Sequence, residues 1–441
     1  MIKKILIANR GEIALRIIRA CKEMEIKTVA VFSEADRDAL HTKHADESVC
    51  IGPPRASESY LSIPRIIEAA KMSESDAVHP GYGFLAENAK FAQSCIDNNL
   101  IFIGPSPDMI GKMGGKSMAK SLVRKIGVPV IPGSEGEINN IVEAKKIINE
   151  IGLPVILKAA AGGGGKGMRI VKDSGSIENS FTIAKHEAKS AFGNDALYIE
   201  KLIENPKHIE FQVLGDKFGN IVHIGERDCT IQRRHQKLIE ESPSPALNKE
   251  LREKMGNAAI KAAKTVNYES SGTVEFLLDK NKNFYFMEMN TRIQVEHPVT
   301  ELIYNIDLLK EQIKIAGGEK LEKKNYKFTG HAIECRINAE DPFNNFRPTP
   351  GLISTFHTPS GHGIRVDTHC YSGYTIPQYY DSLIGKLIVR ADNRSQAINR
   401  MLRALEEFIV EGIKTTIPLH KKILLSQKFV EYNYDTKWAD F

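Results

Sequence analysis

The chain has 441 residues, 42% of them hydrophobic and 26% charged, enough to bury several cores in about three domains. Its 60 Lys and Arg against 55 Asp and Glu leave a net charge of +5, too thin over this length to point to nucleic acid or a membrane surface. Six scattered cysteines with no CxxC pair argue against a disulfide framework or structural zinc and fit a reducing cytoplasm, and no apolar run reaches signal-peptide or membrane-spanning length.

Along the first hundred residues, short β-rich runs (5–8, 28–32, 77–79, 100–103) alternate with helix-period segments, the pattern of a parallel, Rossmann-like α/β domain. In its first helix Ile13, Ala14, Ile17, Ile18 and Cys21 form an apolar face, leaving Arg16, Arg19 and Glu23 as a solvated stripe. A helix is expected over 107–126, and Gly127-Val128-Pro129-Val130-Ile131-Pro132-Gly133 punctuates the crossing into a second unit. That unit runs to about 318 with strands in hairpin pairs: 153–158 with 168–171, 208–214 with 221–224, and 272–279 with 284–290. From 331, short strands (332–337, 352–356, 364–366, 386–389) precede a long helix at 394–410, a third, α+β domain. The expected boundaries are 1–113, 114–318 and 331–441.

The segment Lys158-Ala159-Ala160-Ala161-Gly162-Gly163-Gly164-Gly165-Lys166-Gly167-Met168 is the most informative. Consecutive glycines let backbone N–H groups wrap a phosphate, and a lysine on each side adds positive charge. A Walker loop needs Ser or Thr after the lysine and then a helix, whereas a β-run follows here, so the loop reads as a hairpin tip. Two look-alikes fail. Gly114-Gly115-Lys116-Ser117 lacks the earlier glycine at 110, where Ile110 stands, and Gly81-Tyr82-Gly83-Phe84-Leu85-Ala86, which follows a strand and opens a helix, lacks the ribose-binding acid of a dinucleotide fold.

Between 272–278 and 284–290 lies the polar turn Lys280-Asn281-Lys282-Asn283. Symmetric closure sets Leu277 opposite Phe286 and Glu275 opposite Glu288. Facing like charges destabilise a sheet unless a cation lies between them, and alternation puts Asn290 on the same face, a set suited to Mg²⁺ carrying nucleotide phosphates. The polar run from Asn290 to Glu301 reads as an active-site floor, and the cationic run from Glu226 to Lys237 as a seat for anionic small substrates in preference to RNA.

These residues carry a family resemblance. Ala8-Asn9-Arg10-Gly11-Glu12-Ile13-Ala14, His79-Pro80-Gly81-Tyr82-Gly83-Phe84-Leu85, Arg227-Asp228-Cys229, Met289-Asn290-Thr291-Arg292-Ile293-Gln294-Val295-Glu296-His297-Pro298 and Glu334-Cys335-Arg336-Ile337-Asn338-Ala339-Glu340-Asp341-Pro342 resemble biotin carboxylase, the ATP-grasp component of biotin-dependent carboxylases. The resemblance implies a central ATP-grasp domain with a mobile lid at about 131–203, followed by a C-terminal biotin carboxylase domain. It implies that ATP is held by Lys116, Lys158, Gly163, Gly164, Gly165, Lys166, Glu200, Lys201, Ile203, His208, Gln232, His235, Leu277 and Glu288, with Mg²⁺ or Mn²⁺ on Glu275, Glu288 and Asn290.

Bicarbonate would meet Lys237, Arg292, Gln294 and the Val295 backbone, with Glu296 its general base; Arg336 would stabilise the ureido anion of biotin, and Tyr82 would contact biotin. The chain has no Met-Lys-Met tripeptide, so biotin is expected on a separate biotin carboxyl carrier protein, with carboxyltransferase subunits as further partners, in an acetyl-CoA carboxylase serving fatty-acid synthesis. A homodimer through Arg19, Glu23 and the surroundings of Arg365 is implied, with His362 where the family has an aromatic residue. Two other readings are an ATP-grasp ligase joining a carboxylate to an amine, and a silent nucleotide-binding subunit. The intact Glu296 and Arg336 motifs oppose both.

Overall fold

The computed structural model describes residues 2–159, 168–322 and 326–438. The chain opens with β1 (Lys4–Ile7), β2 (Lys27–Phe32), β3 (Glu47–Cys50), β4 (Ala77–His79) and β5 (Ile101–Phe102), a parallel sheet in the order β3-β2-β1-β4-β5. β3 escapes the sequence reading because it is an edge strand with three of four residues exposed, so it has no apolar run to detect. The first helix, Gly11–Glu23, buries Ile13, Ala14, Ile17, Ile18 and Cys21 as the spacing requires. Its polar stripe is not simply solvated: Arg16 is buried against Glu301 at 3.1 Å and Asp307 at 2.6 Å, Glu23 pairs with Lys310, and of the three only Arg19 is a bare exposed charge.

The expected helix at 107–126 is two, Pro107–Gly114 and Lys116–Lys125, broken at Gly115. The Gly81–Ala86 segment forms turns with Gly81 and Gly83 at positive φ, and the next helix, Ala89–Asp97, starts only after Asn88 accepts the Phe91 amide. The helix that follows therefore begins beyond those glycines, so the segment lacks the strand–turn–helix form that the dinucleotide motif requires.

A three-stranded antiparallel sheet holds β6 (Val155–Ala159), β7 (Met168–Val171) and β8 (Leu197–Lys201) in the order β7-β6-β8. β6 and β7 pair as expected on either side of the glycine loop; Gly163, Gly164, Gly165 and Lys166 themselves lie outside the described residues.

The core of the molecule is an eight-stranded antiparallel sheet. It contains β9 (Lys207–Gly215), β10 (Ile221–Arg233), β11 (Gln236–Ser242), β12 (Ser270–Leu278), β13 (Phe284–Asn290) and β14 (His331–Asn338), then the strands Leu383–Ala391 and Ile364–Thr368. The order is β13-β12-β9-β10-β11-β14, followed by Leu383–Ala391 and Ile364–Thr368. One ladder thus runs from the central unit into the C-terminal one, with Glu240 of β11 opposite Glu334 of β14. The helix Arg394–Glu407 ends before Ile409–Glu411, which pairs as a strand with Thr355–His357. The run at 352–356 divides into two short strands, Gly351–Leu352 and Thr355–His357.

Candidate active site

The site lies on one face of the central sheet, on side chains laid across the strands. In the β12–β13 hairpin Glu275 faces Glu288 as expected, but the turn closes one residue tighter, with Leu277 opposite Tyr285 and Phe276 opposite Phe286. A bulge at Met287 then restores the register, so Leu277 opposite Phe286 was the wrong pairing while the two acids stay opposed. Asn290 donates to Glu275 at 2.9 Å, as its place on the same face requires.

Lys237 of β11 reaches across β10 and β9. Its Nζ lies 2.6 Å from Glu210, 3.0 Å from Glu275 and 2.6 Å from Glu296. Three carboxylates around one ammonium hold its proton firmly: burial acts to remove it, but Glu210, Glu275 and Glu296 prevail and raise the pKa well above the usual lysine value. Glu296 is fully buried, with its second oxygen 2.9 Å from the Arg336 guanidinium. Burial pushes its carboxyl up, yet Lys237, Arg336 and Arg227 hold it well below the usual carboxylate range. Glu275 behaves likewise: burial is outweighed by Lys237 and by His208, whose Nε2 is 3.0 Å away, so the acid is ionised.

An ionised Glu275 facing Glu288, with the Asn290 amide alongside, offers oxygen donors of the kind a hard dication takes, so these residues fit Mg²⁺ or Mn²⁺. His208, Glu210 and Glu275 also bring ligand-type atoms within 4.8 Å of one another, but the Lys237 ammonium already sits among them as their cation.

Beyond the hairpin, Arg292 donates to Glu87 at 2.9 Å, to Gln294 at 2.9 Å and to Asn290 at 3.2 Å, and Gln294 donates to Glu275 at 3.3 Å. Arg336 donates from Nε to Glu240 at 2.6 Å; burial and the negative charge of Glu296 push the Glu240 carboxyl up to about 7 even though the Arg336 guanidinium pulls it down. The structure thus joins Lys237, Glu275, Asn290, Arg292, Gln294, Glu296, Arg336 and His208 in one network. Tyr82 stands at its edge, donating to Glu12.

The other expected nucleotide contacts form a second group. Lys158 and Lys120 both bond Glu200, whose carboxyl is pushed up by burial but brought below its usual value by those two lysines. Lys201 sends its ammonium to the Leu153 carbonyl at 2.7 Å, and Ile203 is half-buried just past β8. Gln232 is buried opposite Lys237 in the β10–β11 hairpin, His235 is exposed at its tip, and half-buried Leu277 pairs with His208. The side chain of Lys116 lies outside the described residues.

The cationic run 226–237 is largely this hairpin. Arg227 is fully buried, bonding Glu210, Gln212, Thr273 and Thr300. Gly225, at φ +65°, makes the bulge that lets it in: a Cβ there would collide with the Tyr304 ring. Sequence reading missed Glu87, Glu210 and Glu240. Glu210 did leave a signal, the polar alternation His208, Glu210, Gln212 against apolar Ile209, Phe211 and Val213, which marks a buried polar face.

Family models match three consecutive stretches: the biotin carboxylase N-terminal domain over residues 1–110, the ATP-binding domain of the carbamoyl-phosphate synthase L chain over 115–324, and the biotin carboxylase C-terminal domain over 334–440. Biotin carboxylase 1 of Bacillus subtilis is 57% identical over 443 residues, covering 100% of this chain and 98% of its own. The Campylobacter jejuni biotin carboxylase, solved as a complex with an ATP ligand, is 53% identical with a TM-score of 0.94, covering 99% and 98% of the two chains. The biotin carboxylase domain dimer of Hydrogenobacter thermophilus 2-oxoglutarate carboxylase, solved with MgADP, ADP and bicarbonate, is 51% identical with a TM-score of 0.92 over 99% and 97%. The carbamoyl-phosphate synthase model matches the middle stretch, and the two flanks match the biotin carboxylase N-terminal and C-terminal models. Fold, sequence and the Lys237–Glu296–Arg336 network agree that the chain belongs to the biotin carboxylase family of ATP-grasp ligases.

Proposed function

We propose that the chain carboxylates biotin on a separate carrier protein, with bicarbonate as carbon source and ATP as activator. The observation that carries this reading is the Lys237 ammonium held between Glu275 and Glu296, with Arg336 on the other oxygen of Glu296. It sets the nucleotide acids, a base and a ureido-directed cation side by side.

On this reading Lys237, Arg292, Gln294 and the Val295 amide seat bicarbonate, and Glu296 takes its proton as an oxygen attacks the γ-phosphorus and the bond to ADP breaks. The carboxyphosphate so formed splits into CO₂ and phosphate beside the biotin ring. The ring nitrogen loses its proton to that phosphate and bonds to CO₂, while Arg336 neutralises the negative charge on the ureido oxygen. Glu275, Glu288 and Asn290 hold Mg²⁺ or Mn²⁺, which supplies charge neutralisation to the nucleotide phosphates. Lys116, Lys158 and His208 hold the nucleotide phosphates or ribose, the 163–166 loop wraps the phosphates, Glu200, Lys201 and Ile203 seat the adenine, Gln232, His235 and Leu277 also contact ATP, and 131–203 acts as a closing lid within the 114–318 unit. Tyr82 contacts biotin.

The partners on this reading are a biotin carboxyl carrier protein and carboxyltransferase subunits of an acetyl-CoA carboxylase, with a second copy of the chain docking through Arg19, Glu23 and Arg365. Six cysteines without a disulfide suit a cytoplasmic setting, and no helix among the described residues is long and apolar enough to cross a membrane. The test is ADP release by the purified chain with bicarbonate and free biotin each present or omitted. Turnover that requires bicarbonate and is stimulated by biotin supports the proposal; stimulation by an amine or another acid instead of biotin overturns it.

A further inference from the structure

Lys386, on the strand Leu383–Ala391, is fully buried. Such a lysine is costly to bury unless its charge and its N–H donors are all answered. Its ammonium donates to the Val295 carbonyl at 2.8 Å, lies 3.1 Å from one oxygen of Glu12, and faces Asp367 at 4.0 Å. The carbonyl it holds belongs to the peptide between Val295 and Glu296, the stretch of backbone that carries both the bicarbonate amide and the base.

Glu12, from the first helix, is 4% exposed. The same oxygen that meets Lys386 also accepts the Tyr82 hydroxyl, while its second oxygen is buried with no hydrogen-bond partner among the described residues. Tyr82 and Lys386 therefore share one acceptor atom beside an idle one. A shift of the phenol changes the load that Glu12 places on Lys386, and through Lys386 on the Val295–Glu296 peptide. Tyr82 lies in the segment after β4 and Val295 lies beyond β13, so Glu12 and Lys386 bridge two parts of the chain far apart in sequence.

We propose that Glu12 and Lys386 are positioning residues forming a joint that couples the seat of biotin at Tyr82 to the seat of bicarbonate at Val295 and Glu296. The inference rests on the biotin carboxylation reading and extends it: biotin arriving against Tyr82 adjusts the bicarbonate site before any chemistry.

The experiment is a double-mutant cycle on the purified full chain with Tyr82→Phe, Lys386→Met and both together, reading the bicarbonate KM of ADP release without biotin, the ATP KM, and the stimulation by free biotin. Tyr82→Phe removes one hydroxyl on the biotin side, yet it should raise the bicarbonate KM about threefold to tenfold, the scale of one hydrogen bond, and leave the ATP KM unchanged. Lys386→Met should raise the bicarbonate KM and weaken biotin stimulation, and the double variant should show less than the sum. If Lys386→Met does not fold, Glu12→Gln/Lys386→Met keeps the charge balanced, and Tyr82→Phe added to that background should have no further effect. Strictly additive effects, or a Tyr82→Phe variant with an unchanged bicarbonate KM, overturn the joint while leaving the activity standing. A wild-type chain without bicarbonate-dependent turnover overturns the activity itself and the joint with it.

Discussion

Glu296→Gln is the sharpest perturbation of this site. The side chain is fully buried, 2.6 Å from Lys237 and 2.9 Å from Arg336, and glutamine keeps its shape while removing its charge and its basicity. Breaking a buried ion pair commonly costs about 3–5 kcal/mol because a cation is left alone. Here neither cation is abandoned: Lys237 keeps Glu210 at 2.6 Å and Glu275 at 3.0 Å, and Arg336 keeps Glu240 at 2.6 Å. The loss of stability should therefore stay below roughly 3 kcal/mol, and the variant should fold. Loss of a general base should lower bicarbonate-dependent turnover by about 10²–10⁴-fold, a barrier increase of roughly 3–5.5 kcal/mol. ATP binding should be untouched, since Glu288, Lys158 and His208 keep their places. ADP release at saturating ATP with bicarbonate titrated, beside direct nucleotide binding, separates the two. A variant turning over within about threefold of wild type would remove Glu296 as the base, and a matching loss of nucleotide affinity would mean that it acts through the fold.

Arg336→Lys keeps a charge but loses the fork shared between Glu240 and Glu296, so the biotin-stimulated part of turnover should fall about 10²–10³-fold while basal bicarbonate-dependent ADP release persists. Chelation with EDTA should abolish turnover and added Mg²⁺ or Mn²⁺ restore it, and Glu288→Gln should raise the Mg²⁺ needed by roughly tenfold or more in a metal titration. On the reverse face of the sheet, burial pushes Glu241 up, but His331 and Arg394 outweigh it and bring the carboxyl down to about 2. A depressed acid stabilises the fold fully above its unfolded pKa, so this contribution is present above pH ~4.5 and is lost as pH falls toward 2; thermal unfolding of Glu241→Gln should lack that part of the decline, worth at most about 3 kcal/mol.

The opposed pair Glu275 and Glu288 was legible because a short polar turn between two apolar runs nearly fixes the register by itself. The bulge at Met287 was not, since a tighter turn and a compensating extra residue leave the same apolar pattern. The parallel order of the N-terminal strands follows from their crossover helices, whereas β11 pairing with β14 across the intervening chain is a long-range choice that no local period encodes. Arg16 looked like a solvated stripe because its partners, Glu301 and Asp307, lie far away in sequence. Lys386 and Glu87 were invisible for the same reason: their importance lies in whom they touch, and a lysine or glutamate read alone most often faces water.

Lys237 and Glu275 meet from β11 and β12, with β9 and β10 between them, so the site is measured across the sheet. Three inter-strand steps of about 4.8 Å set roughly 14 Å of backbone between the anchor points, a gap that only a long side chain and an acid reaching toward each other can close. Such a gauge comes in fixed increments. Loops at the rim can lengthen or shorten without altering it, and a change in the spacing between acid and ammonium has to come from a longer or shorter side chain. Shortening Lys237 by one methylene would open a gap that no relaxation of the neighbouring loops can fill.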